Sequence, residues 1–327
     1  MRKVCLLIVL LSLCLTPVWG VDALARAYLP AGAAQPADPQ SSVCAGVPAY
    51  DSGWYALGVR PDPISVEFTH NLGGDPDDYR VSLECRDDTS LGTYDCTDQG
   101  FNVNAHWYGL TSTKVQVYVV SGSRPDDVRV RIYTATPEYD SGWEALGVRP
   151  DPIPVDFTHN LGGNYNDYLV SLACRDDTSL GTYDCTDQGF VVNAHWYSLS
   201  NTMVKVYAAG GSRPDDVRVR IYKSAPAYDS GWYTLGVRPD PIAVNFTHNL
   251  GGDLDDYRVS LECWDDTSLG TYDCTDQGFN VNAHWYGLTS TTVQVYVVGG
   301  TLPDQLRVCI WQVHKVYLPV AFKNATQ

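Results

Sequence analysis

Apolar residues alternate with polar ones along most of the chain, which is the period-two pattern of half-buried β-strands. Turn sequences rich in Gly, Pro, Asp and Asn separate the alternating runs, and no helical period interrupts them. The pattern predicts six short strands in the first part of the chain. Their apolar positions are Trp54 and Leu57; Ile64, Val66 and Phe68; Val81 and Leu83; Phe101, Val103, Ala105 and Trp107; Val115, Val117 and Val119; and Val128, Val130 and Ile132.

This strand pattern occurs three times. The string YDSGW begins at Tyr50, Tyr139 and Tyr228, so each copy starts 89 residues after the one before it. A unit of this size can form a core of its own. The sequence therefore predicts an all-β chain of three six-stranded antiparallel β-sandwich modules. The predicted divisions are a signal peptide (1–25), a Pro/Ala-rich linker (26–48), module 1 (49–134), module 2 (135–223), module 3 (224–313) and a C-terminal tail (314–327).

The N-terminus has the features of a secretory signal peptide: Arg2 and Lys3, an apolar run over 4–15, and the small-residue cleavage site 23–25. The alternative is a retained N-terminal anchor. No later apolar run approaches the length of a transmembrane helix, so no membrane insertion is expected after signal removal. The protein is predicted to be secreted or at the cell surface. The tail, KVYLPVAFKN, is similar to YLP-type ends of secreted bacterial proteins, and it is either a sorting signal or an added edge strand.

Eight of the ten cysteines remain after signal removal, an even number for an oxidising compartment. Six recur with the repeat and predict three local disulfides, each closing an Asp-rich segment that is either a pinned binding loop or a simple staple. The last two are predicted to pair across the ends of the array, which would close it into a pseudo-threefold ring. The predicted pairs are Cys85–Cys96, Cys174–Cys185, Cys263–Cys274 and Cys44–Cys309.

The chain is strongly acidic, with a formal net charge of -16 and a pI near 4.6. Binding of nucleic acid requires clustered Lys and Arg, so the charge excludes nucleic acid as a partner. The aspartates also raise the question of calcium, because carboxylate oxygens are its preferred ligands. No cofactor is predicted, and calcium is the alternative, at Asp75, Asp77 and Asp78 or at Asp87, Asp88, Asp95 and Asp98.

Each repeat also carries the segments SGW, SVEFTHNLGGDPDDYRVSL, a Thr-centred turn in WYGLTSTKVQVYV, and RVRIY, or close variants of them. Together they resemble the H-type lectin domain. The resemblance implies a six-stranded sandwich that assembles as a trimer and binds N-acetylgalactosamine-like sugars between subunits. The Arg that contacts sugar in that family falls at Asn102, Val191 and Asn280, and its Trp falls near Gly122, Gly211 and Gly300, so the known sugar site is not carried over.

The polar phase of the fourth strand is the predicted ligand-binding surface. Amide, imidazole and phenol groups on one strand face suit a sugar, which offers hydroxyls to hydrogen bonds and a C–H face to an aromatic ring. The alternative is an interface between modules. The predicted ligand-binding residues are Asn102, Asn104, His106 and Tyr108; Asn193, His195 and Tyr197; and Asn280, Asn282, His284 and Tyr286.

Catalysis is not predicted. His70, His159 and His248 sit at a strand end, where an imidazole caps a turn as readily as it acts as a base, and no nucleophile or metal motif accompanies them. The sequence therefore predicts a monomeric, intramolecular pseudo-trimer without enzyme activity. The predicted function is that of a secreted glycan-binding protein with three linked weak sites for an extracellular glycan or cell-surface polymer. The alternative is a structural or adhesive cell-envelope protein.

Overall fold

The architecture is almost entirely β-structure. A computed structural model describes residues 47–58, 64–89, 91–96, 105–119, 124–147, 153–183, 185, 193–209, 214–236, 242–266, 269–274, 282–298 and 303–312. The prediction of an all-β chain is confirmed for these residues, which add only three single 3-10 turns at Pro76–Asp78, Tyr165–Asp167 and Leu254–Asp256. None of the described helices has the length and apolarity needed to cross a membrane. The predicted signal peptide, linker 26–46 and tail 314–327 lie outside the described residues.

Eight strands recur with each copy of the sequence repeat. We refer to β1–β8 as repeat 1, β9–β16 as repeat 2 and β17–β24 as repeat 3. Repeat 1 consists of β1 (Tyr50–Asp51), β2 (Tyr55–Ala56), β3 (Ile64–Thr69), β4 (Arg80–Asp87), β5 (Gly92–Asp95), β6 (Ala105–Tyr108), β7 (Lys114–Val119) and β8 (Asp127–Tyr133). Repeat 2 consists of β9 (Tyr139–Asp140), β10 (Glu144–Ala145), β11 (Ile153–Thr158), β12 (Tyr168–Asp176), β13 (Gly181–Tyr183), β14 (Asn193–Tyr197), β15 (Met203–Ala209) and β16 (Asp216–Lys223). Repeat 3 consists of β17 (Tyr228–Asp229), β18 (Tyr233–Thr234), β19 (Ile242–Thr247), β20 (Tyr257–Asp265), β21 (Gly270–Asp273), β22 (Asn282–Tyr286), β23 (Thr292–Val298) and β24 (Gln305–Gln312).

Each repeat forms two antiparallel sheets. In repeat 1 the five-stranded sheet has the order β1–β8–β4–β5, with β2 also paired to β8, and the three-stranded sheet has the order β3–β7–β6. The register of the central pair places Leu83 opposite Val130. Repeats 2 and 3 reproduce both sheets with equivalent pairings. Valines 115, 117 and 119 of β7 and the inward residues of β8 are fully buried in one core cluster between these sheets.

The six small sheets follow one another around a ring, which is the arrangement of a six-bladed β-propeller. The prediction of three six-stranded sandwich modules is therefore wrong. One reason is that each repeat has eight strands, because β5 lies in the segment predicted to be an Asp-rich loop and the first strand is divided into β1 and β2. Another is that a strand predicted to have a solvent face does not have one: all seven residues of β8 are buried.

Backbone hydrogen bonds join each repeat to the next and return from the third to the first. The N–H of Gly109 donates to the carbonyl of Leu180 at 3.0 Å, and the N–H of Ser198 donates to Leu269 at 2.9 Å. The N–H of Gly287 donates to the carbonyl of Leu91 at 2.9 Å, which closes the ring. The ring is thus closed through the backbone at three equivalent places.

Three disulfides are confirmed: Cys85–Cys96, Cys174–Cys185 and Cys263–Cys274. In repeat 1 the bond pins a β-hairpin rather than a loop, because β4 and β5 pair with Cys85 opposite Tyr94. The predicted Cys44–Cys309 bond cannot be placed, since Cys44 lies outside the described residues. Cys309 is a buried thiol with no disulfide partner among the described residues.

Candidate functional site

The predicted ligand-binding strands are β6, β14 and β22. Their histidines, His106, His195 and His284, are 0–1% exposed. The three histidines therefore lie on a covered face of the strand, and ligand binding by them stays a prediction. Burial in an apolar surrounding lowers the pKa of His106 and of His284 to about 3, so both are neutral at physiological pH. Alternation gave the side of the strand on which they lie, but it could not show that a neighbouring sheet covers that side.

The tyrosines of the same strands lie at the junctions between repeats. Tyr108 packs against the core of repeat 2, Tyr197 against the core of repeat 3, and Tyr286 against the core of repeat 1. The hydroxyls of Tyr108 and Ser65 are 2.8 Å apart. The tyrosines thus form part of the interface between repeats, which is the alternative the sequence left open. Ligand binding by this strand stays a prediction for its asparagines, because Asn102, Asn104 and Asn280 and the side chains of Asn193 and Asn282 lie outside the described part of the chain.

The recurring turn histidines have a structural role. Nδ1 of His70 accepts a hydrogen bond from the N–H of Leu72 at 3.3 Å, and the imidazole packs edge-on against Tyr79. His159 and His248 make the equivalent contacts. Burial lowers the pKa of all three below the usual value for histidine. These side chains cap the turn after the third strand of each repeat.

The acidic segments engage protein partners. Asp75 accepts from the N–H of Asp77 at 3.0 Å, and the buried Asp87 accepts from Thr89 and pairs with Arg124 at 2.5 Å. No group of three or more metal-ligating side chains with suitable geometry occurs among the residues that the structure describes. Of the other predicted calcium ligands, Asp98 and the side chain of Asp95 lie outside those residues.

Arginines dominate the junction of repeats 1 and 2. Nη1 of Arg220 donates to the carbonyl of Tyr79 at 2.7 Å, and Nη1 of Arg218 donates to the carbonyl of Asp77 at 2.9 Å. The carboxylate of Asp77 in turn accepts from Nε1 of Trp143 at 2.9 Å. Arginine side chains of repeat 2 therefore bind two backbone carbonyls in the segment that follows β3 in repeat 1.

The junction of repeats 3 and 1 uses the same geometry with an added buried ion pair. Arg131 donates to the carbonyls of Tyr257 and Asp255, and its guanidinium lies 2.6 Å from the carboxylate of Glu84. Nε1 of Trp54 donates to the carboxylate of Asp255 at 3.2 Å. Burial raises the pKa of Glu84 to about 7 against the opposing effect of the nearby arginines.

The junction of repeats 2 and 3 differs from the other two. Nη2 of Arg307 donates to the carbonyl of Asn166 at 2.8 Å. Nη1 of Arg307 also donates to the buried carboxylate of Glu262 at 2.8 Å. Beside this ion pair lies a separate apolar cluster of buried side chains, formed by Leu169, Tyr222, Cys309 and Trp311. Leu169 and Cys309 occupy the positions that Arg80 and Arg131 have in repeat 1. Desolvation raises the pKa of the Cys309 thiol well above its ordinary value, so the thiol stays protonated.

A cavity of about 150 Å³ opens where repeats 1 and 2 meet. Its walls combine aromatic rings, hydroxyls and charges from all three repeats. Aromatic and hydrogen-bonding groups on one concave surface are typical of sites that hold a polar organic ligand. The lining includes Trp107, Trp143 and Trp196, together with Arg80, Arg220, Asp77, Asp273, Ser171 and Thr182. We call this the junction cavity.

Arg80 is the unusual member of the junction cavity. The residue is 4% exposed, and its guanidinium carbon lies 4.6 Å from the ring centroid of Tyr133 and 5.0 Å from that of Tyr222. None of its three nitrogens makes a hydrogen bond or ion pair within the part of the chain that the structure describes. Two aromatic faces attract the cation, but they do not replace the hydrogen bonds it had in water.

A second cavity of about 360 Å³ lies beside the linker between repeats 1 and 2. It shares Asp77, Tyr79 and Arg220 with the junction cavity. Its remaining charged lining is acidic, with Asp75, Asp78 and Asp140. The concave surface at this junction is therefore lined by both acidic and basic side chains.

Sequence reasoning missed the junction cavity. Differences between the copies were the available signal, since Arg80 is replaced by Leu169 in repeat 2. Such a replacement marks a position that is not needed by the fold of a single repeat. The sequence could not place it beside Trp143 and Trp196, because that contact depends on how two repeats pack.

Comparison with protein-family models, with curated proteins and with solved structures finds no match to this chain.

Proposed function

We propose that the protein is a secreted glycan-binding protein and that the junction cavity is its binding site. The observation that carries the proposal is the lining of that cavity, where three tryptophans stand beside hydroxyl and charged side chains. Aromatic faces stack on the C–H face of a sugar, and the polar groups bind its hydroxyls. The protein's acidic net charge argues against the phosphate backbone of nucleic acid as the polymer it binds.

Three disulfides support an extracellular location, because such bonds persist in oxidising compartments. A closed ring supports a binding function in another way. Backbone and arginine hydrogen bonds fix its repeats to one another. The protein therefore loses little conformational entropy when a ligand binds across a junction. Of the three linked sites that the sequence predicts, the proposal assigns one to the junction of repeats 1 and 2, since the three junctions differ in their side chains.

The test is a glycan array followed by calorimetry with Trp143→Ala and Trp54→Ala. Each tryptophan has two arginine guanidiniums within 5.8 Å of a ring centroid and donates to an aspartate of the neighbouring repeat. Only Trp143 of this pair lines the junction cavity. We expect glycan affinity to fall at least about tenfold in Trp143→Ala and to stay within about twofold in Trp54→Ala, the loss of one stacked ring. Equal losses in both variants would remove the cavity from the proposal.

A structural or adhesive role is the second candidate. It is favoured by Tyr108, Tyr197 and Tyr286, which join repeats to one another instead of facing a ligand. An array on which the folded protein binds no glycan, combined with self-association or retention on cell-envelope preparations, would support this second role and reject the first.

A further inference from the structure

The junction cavity contains one charge that the fold does not use. Two other charged side chains of the cavity have partners within the protein. Arg220 donates to the carbonyl of Tyr79, and the carboxylate of Asp77 accepts from Trp143 and lies 3.5 Å from Arg218. Among the described residues, Arg80 has only the rings of Tyr133 and Tyr222 as partners. A buried guanidinium with five N–H donors and no acceptor is typical of a site whose acceptor comes from outside the chain.

Repeat 2 shows that the fold does not require this arginine. Leu169 occupies the equivalent position, is 5% exposed and packs in the apolar cluster with Tyr222. Tyr222 thus contacts a leucine on one junction and an arginine on the other. The same strand position accepts an uncharged side chain, so the fold does not require the charge of Arg80.

We propose that Arg80 makes the junction cavity selective for a carboxylate-bearing sugar, a uronic acid, over its neutral counterpart. Two parallel N–H groups of a guanidinium match the two oxygens of a carboxylate, and such charge-assisted bonds are about twice as strong as neutral ones. A cavity of about 150 Å³ has room for roughly five waters, so it accommodates one terminal sugar group and not a long chain. The proposal rests on the proposed function and names its substrate class.

The first measurement uses the unsubstituted protein and titrates it with glucuronate, glucuronamide, glucose and acetate. Glucuronamide has the same shape as glucuronate without the charge. We expect glucuronate to bind about tenfold or more tightly than glucuronamide and glucose, as one charge-assisted hydrogen-bonding group predicts. Equal affinity for glucuronate and glucuronamide would overturn the inference while leaving the glycan-binding function in place. Binding of acetate as tight as that of glucuronate would overturn the sugar part of it.

The second measurement uses Arg80→Leu, which copies Leu169, and Arg258→Leu, the same change at the equivalent position of repeat 3. Arg258 does not line the junction cavity. We expect Arg80→Leu to bind glucuronate and glucuronamide equally, and Arg258→Leu to keep the preference for glucuronate. Arg80→Lys should keep part of the preference for glucuronate, because an ammonium retains the charge but not the two parallel N–H groups of a guanidinium.

The outcomes separate the two proposals. An unchanged glucuronate preference in folded Arg80→Leu, or an equal loss in Arg258→Leu, rejects the role of Arg80 and leaves glycan binding intact. If none of the sugars binds the unsubstituted protein, the proposed function fails together with the inference. Should Arg80→Leu not fold, the comparison of glucuronate with glucuronamide on the unsubstituted protein still decides the question.

Discussion

The junction of repeats 3 and 1 and the junction of repeats 2 and 3 join the same strands by different chemistry. At the first, Arg131 is 1% exposed and bonds Glu84 and two backbone carbonyls of the neighbouring repeat. At the second, Cys309 stands at that position and packs on Leu169, and the carboxylate equivalent to Glu84, that of Glu262, is bound by Arg307 instead. The backbone bonds beside them are alike, 2.9 Å from Gly287 to Leu91 and 2.9 Å from Ser198 to Leu269.

The difference shows that the backbone bonds between repeats are kept when a buried arginine at the junction is replaced by an uncharged side chain. A buried ion pair of similar volume to an apolar cluster is often no more stabilising than that cluster, because desolvation offsets the attraction. Removing one member of the pair is a different matter, since it leaves a charge without its partner. The predictions below use this distinction.

The largest effect is expected from Arg131→Ala. It leaves the carboxylate of Glu84 buried without its partner and two carbonyls unpaired, and we expect the free energy of unfolding to fall by about 3–5 kcal/mol. Arg220→Ala is the matched control, because repeat 2 has Ala173 where repeat 1 has Glu84. Urea unfolding of both variants and of Arg131→Ala/Glu84→Ala gives the comparison. A double variant no more stable than Arg131→Ala would contradict the explanation by an unpaired carboxylate.

A pH dependence follows from the same carboxyls. Burial raises the pKa of Glu84 and of Glu262 to about 7, above the ordinary value of 4.5 that applies in the unfolded chain. A raised pKa gives stability that is fully present below pH 4.5 and is lost as the pH rises through 7, up to about 3 kcal/mol for each carboxyl. We expect Glu84→Gln/Glu262→Gln to remove the fall in stability between pH 6.5 and 8 in urea unfolding, a range above the ordinary histidine pKa of 6.5. An unsubstituted protein equally stable at pH 6.5 and pH 8 would argue against it.

The buried histidines determine how stability falls at low pH. The pKa of His106 and of His284 is lowered to about 3 from 6.5, so their contribution is present above pH 6.5 and is lost as the pH falls towards 3. Stability should therefore be greatest between about pH 4.5 and 6.5, where neither limit is fully reached. The same unfolding series, extended to pH 3, locates the maximum.

Leu169→Ala tests the apolar junction by itself. Leu169 is buried in the cluster with Tyr222 and Trp311, so its truncation leaves a cavity there. We expect a loss of about 2–3 kcal/mol, the cost of removing the buried side chain and leaving a cavity. Thermal unfolding followed by circular dichroism measures it. A loss below about 1 kcal/mol would contradict the role of this cluster in joining repeats 2 and 3.

The smallest effect is expected from Arg80→Leu without ligand. Two tyrosine faces stabilise the cation, while loss of its hydration opposes burial, so replacing it with the residue of repeat 2 should change the free energy of unfolding by less than about 1 kcal/mol. Thermal melts of Arg80→Leu beside the unsubstituted protein check this. A loss of several kcal/mol would show that Arg80 is structural.

Strand positions were predictable where the core decides them. The alternation of Ile64, Val66 and Phe68 and that of Val115 to Val119 fall within β3 and β7, because apolar side chains on one face must be buried. The strand β5 was not predictable, since GTYD carries no alternation and is held by pairing with β4. The first predicted strand, at Trp54 and Leu57, corresponds to two short strands, Tyr50–Asp51 and Tyr55–Ala56, whose division the pattern did not show.

The candidate site was predictable only in part. Sequence identified His106 and Tyr108 as side chains on one strand face, but what covers that face is set by the next repeat in the ring. Arg80 was visible as a difference between copies, yet its neighbours Tyr133 and Tyr222 come from two repeats. Periodicity describes the side of a strand and cannot describe packing between distant parts of a chain.

Ring closure through Gly287 and Leu91 means that no repeat of the folded protein is first or last. The chain crosses from β8, which ends at Tyr133, to β9, which begins at Tyr139, by a linker of five residues. By the threefold equivalence of the repeats, a linker of similar length should join Gln312 to Tyr50. A circular permutant with new ends between residues 134 and 138 should therefore fold to the same ring. The order of the repeats along the chain can thus be changed without changing the folded structure.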